Sequence, residues 1–131
     1  MIEYSERLSD CSHPVLVFCV KAHAELLEKG FSDIPVLEAD NEVLYETSSS
    51  GDAIAALVFF EDAQENIFWT QISYVHPDWR GKKLMRALWD ELVTRAHQRD
   101  IRRIVGGCHK DNFDMQLVNE KLGRRLNWLL Y

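Results

Sequence analysis

Residues 75–86 read VHPDWRGKKLMR, and this stretch is the most informative in the chain. It follows an apolar, strand-like segment and precedes a run in which apolar residues recur at four-residue spacing, as along one face of a helix. At such a junction the first N–H groups of the helix lack intrahelical partners and lie at the positive end of the helix dipole. Four basic residues fall here: Arg80, Lys82, Lys83 and Arg86. The stretch therefore indicates either an anion site suited to a phosphate or a solvated helix start that is basic.

The segments on both sides of this junction show strand and helix patterns. In chain order, the sequence predicts a short strand around Ile2 and Tyr4, a helix from Pro14 to Lys29, a short helix after Ser32, strands at 42–47, 53–60 and 67–75, a helix at 82–99, a strand at 101–105, a helix at 111–122 and a strand at 124–131. The order β-α-α-β-β-β-α-β-α-β predicts an α/β chain of the α+β type, with a mixed, mostly antiparallel sheet of about six strands flanked by about four helices. The residues that the first helix is expected to turn toward the core are Leu16, Cys19 or Val20, His23, Leu26 and Leu27.

Length and composition fit a single domain over residues 1–131. The chain has 47% hydrophobic residues and no repeat or Pro/Gly-rich linker, which is typical of a globular protein with one continuous core. No apolar run approaches the ~18 residues of a membrane-spanning helix, and the start lacks the basic front of a signal peptide. Cys11, Cys19 and Cys108 lack disulfide or zinc-like spacing. The sequence thus predicts a reduced, cytoplasmic protein with no metal site and no membrane partner.

Charge is divided unevenly along the chain. Residues 1–66 carry 14 acidic and 3 basic side chains, whereas residues 67–131 carry 7 acidic and 12 basic ones. The net charge of -6 argues against nucleic acid as a partner. The division indicates either two surfaces with ligands of opposite charge or a chance pattern on a solvated surface.

Two segments of the chain resemble the GNAT superfamily of N-acetyltransferases. The acetyl-CoA-binding pattern of that family, Gln/Arg-x-x-Gly-x-Gly/Ala, falls here on Arg80, Lys83 and Met85. Residues 112–123, NFDMQLVNEKLG, are similar to the family run N-x-x-A-x-x-L-Y-E-K-L-G-F. The order of predicted elements also matches the GNAT fold across nearly the whole chain. Two motifs in the right order and at the right spacing make the resemblance specific for the fold.

The resemblance implies an enzyme that moves an acetyl group from acetyl-CoA directly to an amine in a ternary complex, without a metal. A backbone N–H around Tyr74 and Val75 would polarise the thioester carbonyl, and Asn112 would hydrogen-bond the pantetheine arm. The residues implied to bind the cofactor at the junction are Arg80, Gly81, Lys82, Lys83, Leu84 and Met85.

The chain departs from the family pattern at several positions. Lys83 and Met85 stand where the pattern has small residues. Asn119 stands where many relatives carry a tyrosine that protonates the departing thiolate, and an amide cannot act as a general acid at neutral pH. These departures leave open a second interpretation, a catalytically inactive GNAT-fold protein that binds CoA or serves as a structural or interaction module.

Three residues are candidates for proton transfer or acceptor binding, and each also has an ordinary structural interpretation. His109 follows the strand near the expected cleft, and histidine titrates near neutral pH, but it could be an exposed loop residue. Tyr74 offers a hydroxyl, or it packs within its strand. Glu46 could hold or deprotonate an amine, or it is a solvated residue at a strand edge.

The partners expected from these observations are a small-molecule or peptide amine and a second copy of the chain. The acidic N-terminal half favours a cationic acceptor, because that half forms the acceptor side in the family resembled. A homodimer is plausible because a final strand at 124–131 would leave an open sheet edge.

Overall fold

The computed structural model describes residues 2–31, 37–106 and 113–124. Its strands are β1 (Ile2–Ser5), β2 (Glu42–Thr47), β3 (Ala53–Asp62), β4 (Ile67–Val75) and β5 (Arg103–Gly106). Its α-helices are α1 (His13–Glu28), α2 (Leu84–Gln98) and α3 (Phe113–Lys121). Two short 3-10 turns span Leu8–Asp10 and Pro77–Trp79.

The mixed α+β architecture predicted from the sequence is confirmed, with small differences in the elements. The described part contains five strands and three α-helices rather than about six and four. The helix expected after Ser32 falls largely on residues 32–36 and the last strand on residues 125–131, and both ranges lie outside the described residues. The start of α2 was predicted two residues too early, because Lys83 adopts a left-handed conformation that a helix cannot include.

The sheet has the order β1-β2-β3-β4-β5. The first four strands form antiparallel pairs, and β5 pairs with β4 in parallel. Side chains alternate between the two faces, so each helix packs on a core of its own. The α1 face contains Val43, Ala56, Val58 and Ile72, and the α2 face contains Leu44, Leu57, Phe59 and Phe68.

The inward surface of α1 differs from the one predicted. Val15, Cys19, Ala22 and His23 are buried. Of the alternatives Cys19 and Val20, Cys19 is the buried one and Val20 is 52% exposed, whereas Leu27 is 38% exposed and the prediction was wrong for it. The small residue Ala22 allows the helix to approach the sheet closely, and periodicity among large apolar residues alone did not reveal this. None of the described helices is long and apolar enough to cross a bilayer.

Burial of Cys19 makes stability depend on pH on the alkaline side. Its side chain is fully buried, and this burial raises the pKa of the thiol from 9.0 to about 12. The unfolded chain therefore loses this proton at lower pH than the folded chain does. The stabilising contribution is complete below about pH 9 and is lost as the pH rises toward about 12.

We expect the free energy of unfolding to fall across this window by up to about 1.4 kcal/mol per pH unit through Cys19 alone. Urea unfolding of the wild type and of Cys19→Ala, followed from about pH 8 to about pH 11, measures the slope. The variant should lose stability less steeply, whereas Cys11→Ala, which removes a half-buried thiol, should keep most of the wild-type slope. Parallel curves for the wild type and Cys19→Ala would contradict this assignment.

Candidate active site

Among the described residues, the parallel pairing of β4 with β5 covers Ile67–Thr70 against Arg103–Gly106, in the first half of β4. Beyond it, residues 72–75 pair with β3 alone among the described strands. Gln71 is an extra residue in the β3–β4 ladder, because Val58 pairs with Ile72 and Phe59 with Thr70. Such a bulge bends its strand, and no described strand covers the edge of residues 72–75 that faces away from β3.

The described β4–β5 pairing ends at a close contact between Thr70 and Gly106. The Thr70 hydroxyl donates to the carbonyl oxygen of Val105 at 3.3 Å. A Cβ atom added to Gly106 would lie 2.0 Å from Thr70 Oγ1. The absence of a side chain at Gly106 therefore allows the two strands to meet here.

The loop between β4 and α2 is shaped by turn residues. The Nδ1 atom of His76 accepts a hydrogen bond from the backbone N–H of Asp78 at 3.1 Å, and Pro77 begins the 3-10 turn. Gly81 and Lys83 both have positive φ, at 79° and 61°. The family pattern places a glycine at the position of Lys83, and the left-handed backbone explains that preference. Lys83 keeps the conformation despite its side chain.

The start of α2 carries free donors and positive charge. Lys83 is the N-cap residue of α2, and its side chain makes no capping hydrogen bond. The first intrahelical bond runs from Ala87 N to the Lys83 carbonyl at 3.1 Å. The N–H groups of residues 84–86 thus have no partner within the helix. The exposed basic side chains around them are Arg80, Lys82, Lys83 and Arg86. The residues predicted to bind the cofactor at this junction therefore lie together. Free N–H donors beside basic side chains are suited to phosphate groups such as those of a CoA thioester.

Tyr74 joins this loop to helix α1. Its ring meets Phe18 edge-on at 5.6 Å, and its hydroxyl donates a hydrogen bond to Glu25. Burial, followed by the bond to Glu25, raises the pKa of Tyr74. The Arg80 guanidinium lies 5.4 Å from the centre of the Tyr74 ring, and Arg80 Nε donates to the Val75 carbonyl at 3.0 Å. Tyr74, Val75 and Arg80 therefore form one contiguous group at the end of β4.

Glu25 was missed by the sequence analysis. It lies on α1, with one carboxylate oxygen bound to Tyr74 and the other accepting from Lys29 Nζ at 2.8 Å. The bonds from Lys29 and Tyr74 lower the pKa of Glu25. In the sequence, Glu25 and Lys29 have the spacing of an ordinary surface pair on a helix, and no local pattern shows that Tyr74 reaches them.

Glu46 is not brought together with Tyr74. Glu46 pairs with Ala55, which pairs with Val75, so Glu46 lies in a row on the α2 face. Tyr74 packs on the α1 face. The sheet and the intervening strand β3 separate the two side chains. The other predicted residues, His109 and Asn112, lie outside the described residues.

Asn119 holds a buried structural contact. It is 2% exposed, and its Oδ1 atom accepts from Arg124 Nη1 at 3.0 Å. The Arg124 guanidinium in turn lies 4.5 Å from the centre of the Trp89 ring. Arg124 thus ties α3 to α2 at the position where many relatives have the tyrosine acid. Within the described ranges, no group of three or more His, Cys, Asp or Glu residues could hold a metal ion.

Known proteins share this fold. The acetyltransferase (GNAT) family profile matches residues 7–123. A ribosomal-protein-alanine N-acetyltransferase from Brucella melitensis biovar Abortus 2308 is similar in structure, with a TM-score of 0.71, 18% identity, and coverage of 98% of this chain and 94% of that chain. A GNAT-family acetyltransferase from Staphylococcus aureus Mu50 has a TM-score of 0.72 and 12% identity, and the match covers 98% and 87%.

A third similar structure is larger. The N-acetylglutamate synthase from Neisseria gonorrhoeae, complexed with coenzyme A and N-acetyl-glutamate, has a TM-score of 0.66 and 11% identity. The match covers 90% of this chain and 28% of that one. No curated protein sequence matches the chain significantly. At these identities the structures establish the fold alone, and it is the family profile, spanning most of the chain, that decides the relationship: the chain belongs to the GNAT family of acetyltransferases.

Proposed function

We propose that the chain is an N-acetyltransferase that moves an acetyl group from acetyl-CoA to a primary amine. The observation that carries the proposal is the edge of β4 that no described strand covers, beside an uncapped, basic helix start at Lys83. Acetyl-CoA supplies the acetyl group as a thioester. In a direct transfer, a nitrogen–carbon bond forms, the carbon–sulfur bond breaks, and the proton that the amine loses balances the charge on sulfur.

The chain's own groups would orient the two substrates. The free N–H groups of residues 84–86, together with Lys82 and Lys83, suit the phosphates. Backbone groups on the edge of residues 72–75 that faces away from β3 suit the amides of the pantetheine arm, and the family resemblance implies Asn112 as a further partner of that arm. Arg80 would position the end of β4, since it already holds the Val75 carbonyl. Coenzyme A in the Neisseria synthase supports a CoA thioester as the cosubstrate.

The alternative is a protein of the same fold that binds CoA without turnover. The buried Asn119–Arg124 pair favours it, because a side chain held inside the protein is not available to protonate a thiolate. The two proposals share the cofactor site and differ in catalysis. Cofactor binding and turnover must therefore be measured separately.

Calorimetric titration with acetyl-CoA tests the cofactor site. We expect a dissociation constant on the order of micromolar for the wild type, and binding at least about tenfold weaker for Arg80→Ala/Lys83→Ala. The control Lys21→Ala/Arg102→Ala removes two exposed basic side chains elsewhere and should bind like the wild type. Thermal unfolding of each variant checks that the fold persists. Absent binding by the wild type would refute both proposals for the cofactor.

Turnover then separates the enzyme from the binding module. Acetyl transfer from acetyl-CoA to primary amines, measured by release of the free thiol, would support the enzyme. Tight binding of acetyl-CoA without transfer to any amine of a broad panel would favour the inactive module. The balance of -11 over residues 1–66, from 14 acidic and 3 basic side chains, supports cationic amines as the first part of the panel.

A further inference from the structure

We propose that Glu25, held in place by Tyr74, binds a cationic group of the acceptor other than the amine that reacts. This inference rests on the proposed acetyltransferase function. It identifies the acceptor by chemistry, as a molecule with a second positive charge near its reactive amine. In the structure, the Lys29 ammonium occupies the position beside Glu25 that we assign to this second charge.

The geometry around Glu25 is that of an ammonium site. One carboxylate oxygen is fixed by the Tyr74 hydroxyl, which orients the group, and the other accepts from Lys29 Nζ at 2.8 Å. Tyr74 itself is anchored against Phe18 and beneath Arg80. The second oxygen of Glu25 thus presents a fixed charge to an ammonium group, and Lys29 shows that an ammonium fits there.

Lys29 can be displaced by a ligand. Its side chain is 54% exposed, and it pairs with Glu25 across a single helical turn. Exposed pairs of this kind contribute little to stability, because water screens them and the long side chain loses freedom when it is held. The Glu25–Tyr74 bond is better protected, since Tyr74 packs against the α1 core. A ligand can therefore take the cation position and leave the carboxylate oriented.

The carboxylate is placed to serve a group beside the reaction and not the reacting amine. Tyr74 directly precedes Val75, at the end of β4, so Glu25 lies next to the strand that would hold the thioester. Its hydrogen bonds favour the ionised carboxylate, which makes it a weak proton acceptor. An amine bound to it stays protonated and has no lone pair to attack with. The reacting amine must therefore be a different group of the same acceptor.

Matched amines test this assignment. The probes are α,ω-diamines from 1,3-diaminopropane to 1,6-diaminohexane, each compared with the amino alcohol of the same length. Their binding is titrated against the wild-type protein saturated with CoA, and acetylation is measured separately with acetyl-CoA. For at least one length we expect the wild type to bind the diamine about tenfold more tightly than the amino alcohol, and Glu25→Gln to lose this preference.

The controls separate this role from general charge effects. Glu28→Gln removes an exposed carboxylate from the same helix and should keep the preference. Lys29→Gln removes the competing ammonium and should strengthen diamine binding, whereas Lys21→Gln, with the same change in charge, should not. Acetyl-CoA binding should be equal in Glu28→Gln, Lys29→Gln and Lys21→Gln, since none of these three residues lies in the loop before α2 or bonds Tyr74.

Each outcome decides a separate point. A diamine preference that is equal in the wild type and Glu25→Gln, or no preference at any length, would overturn the inference even if amines are acetylated. A preference that depends on Glu25, without acetylation of any amine, would uphold the ammonium site and reject the proposed enzyme.

Discussion

Replacing Gly106 by alanine is expected to lower the free energy of unfolding by about 2 kcal/mol and to weaken acetyl-CoA binding. The new methyl group would lie 2.0 Å from Thr70 Oγ1, well inside contact distance. Thr70 is β-branched and hydrogen-bonded to Val105, so it cannot simply swing away. The strands must then separate where they are closest. Chemical unfolding and calorimetric titration measure the two effects.

A double-mutant cycle isolates the contact that causes this loss. Thr70→Ala removes the hydroxyl that the new methyl group would meet. The remaining Cβ atom at position 70 would lie 3.4 Å from that methyl group, which is an ordinary contact distance. We expect Thr70→Ala/Gly106→Ala to regain about half of the stability lost in Gly106→Ala. Additive effects of the two substitutions would show that the pairing of β4 and β5 does not depend on this contact.

The sequence predicted the sheet better than it predicted the site. The turn residues around β3 and β4 delimit the strands, and the bounds of β2 and β4 agree with the prediction. The loop motif around Arg80 also led to the correct family. These signals are local, because they depend on residues a few positions apart.

The parts that were not predicted depend on contacts between distant segments. Tyr74 and Glu25 are 49 positions apart, and neither has neighbours that indicate the other. The bulge at Gln71 has no glycine or proline to mark it, because it arises from the pairing of whole strands. Glu46 was proposed from its residue type, yet its strand register turns it to the α2 face. The register and the intervening strand β3 together separate it from Tyr74.

The far end of α2 is held by an ion-pair network at Arg99, just after the helix. Arg99 Nη2 lies 2.6 Å and Nη1 3.0 Å from the two carboxylate oxygens of Glu42, and Nη1 also bonds Glu61 at 3.1 Å. The Glu42 side chain is only 12% exposed. Arg99 therefore supplies most of the interactions that offset the desolvation of this carboxylate. The Tyr4 hydroxyl is a second donor, at 2.5 Å.

We expect Arg99→Met to lower the free energy of unfolding by about 3 kcal/mol, because it leaves the Glu42 carboxylate largely buried without its cation. Arg99→Lys should lose less, because it keeps a cation near Glu42, but it should not restore wild-type stability, since an ammonium cannot bind both oxygens in the planar fork that guanidinium provides. Arg99→Met/Glu42→Gln should recover part of the loss, because the buried charge is gone. Arg102→Met, which removes an exposed arginine nearby in sequence, should change stability by less than about 0.5 kcal/mol.

Helix α2 connects this network to the proposed cofactor site. It spans 15 residues, about 22 Å, from the loop before it to Arg99. The middle of the helix packs on the sheet through Leu88, Leu92 and Ala96. A local disorder of its C-terminal end should therefore not change the backbone at Lys83. Arg99→Met should therefore bind acetyl-CoA nearly as well as the wild type at temperatures where it is folded. A large loss of acetyl-CoA affinity in that variant would show instead that α2 moves as a rigid body. The ion pairs at Arg99 would then position the proposed phosphate donors at the start of the helix.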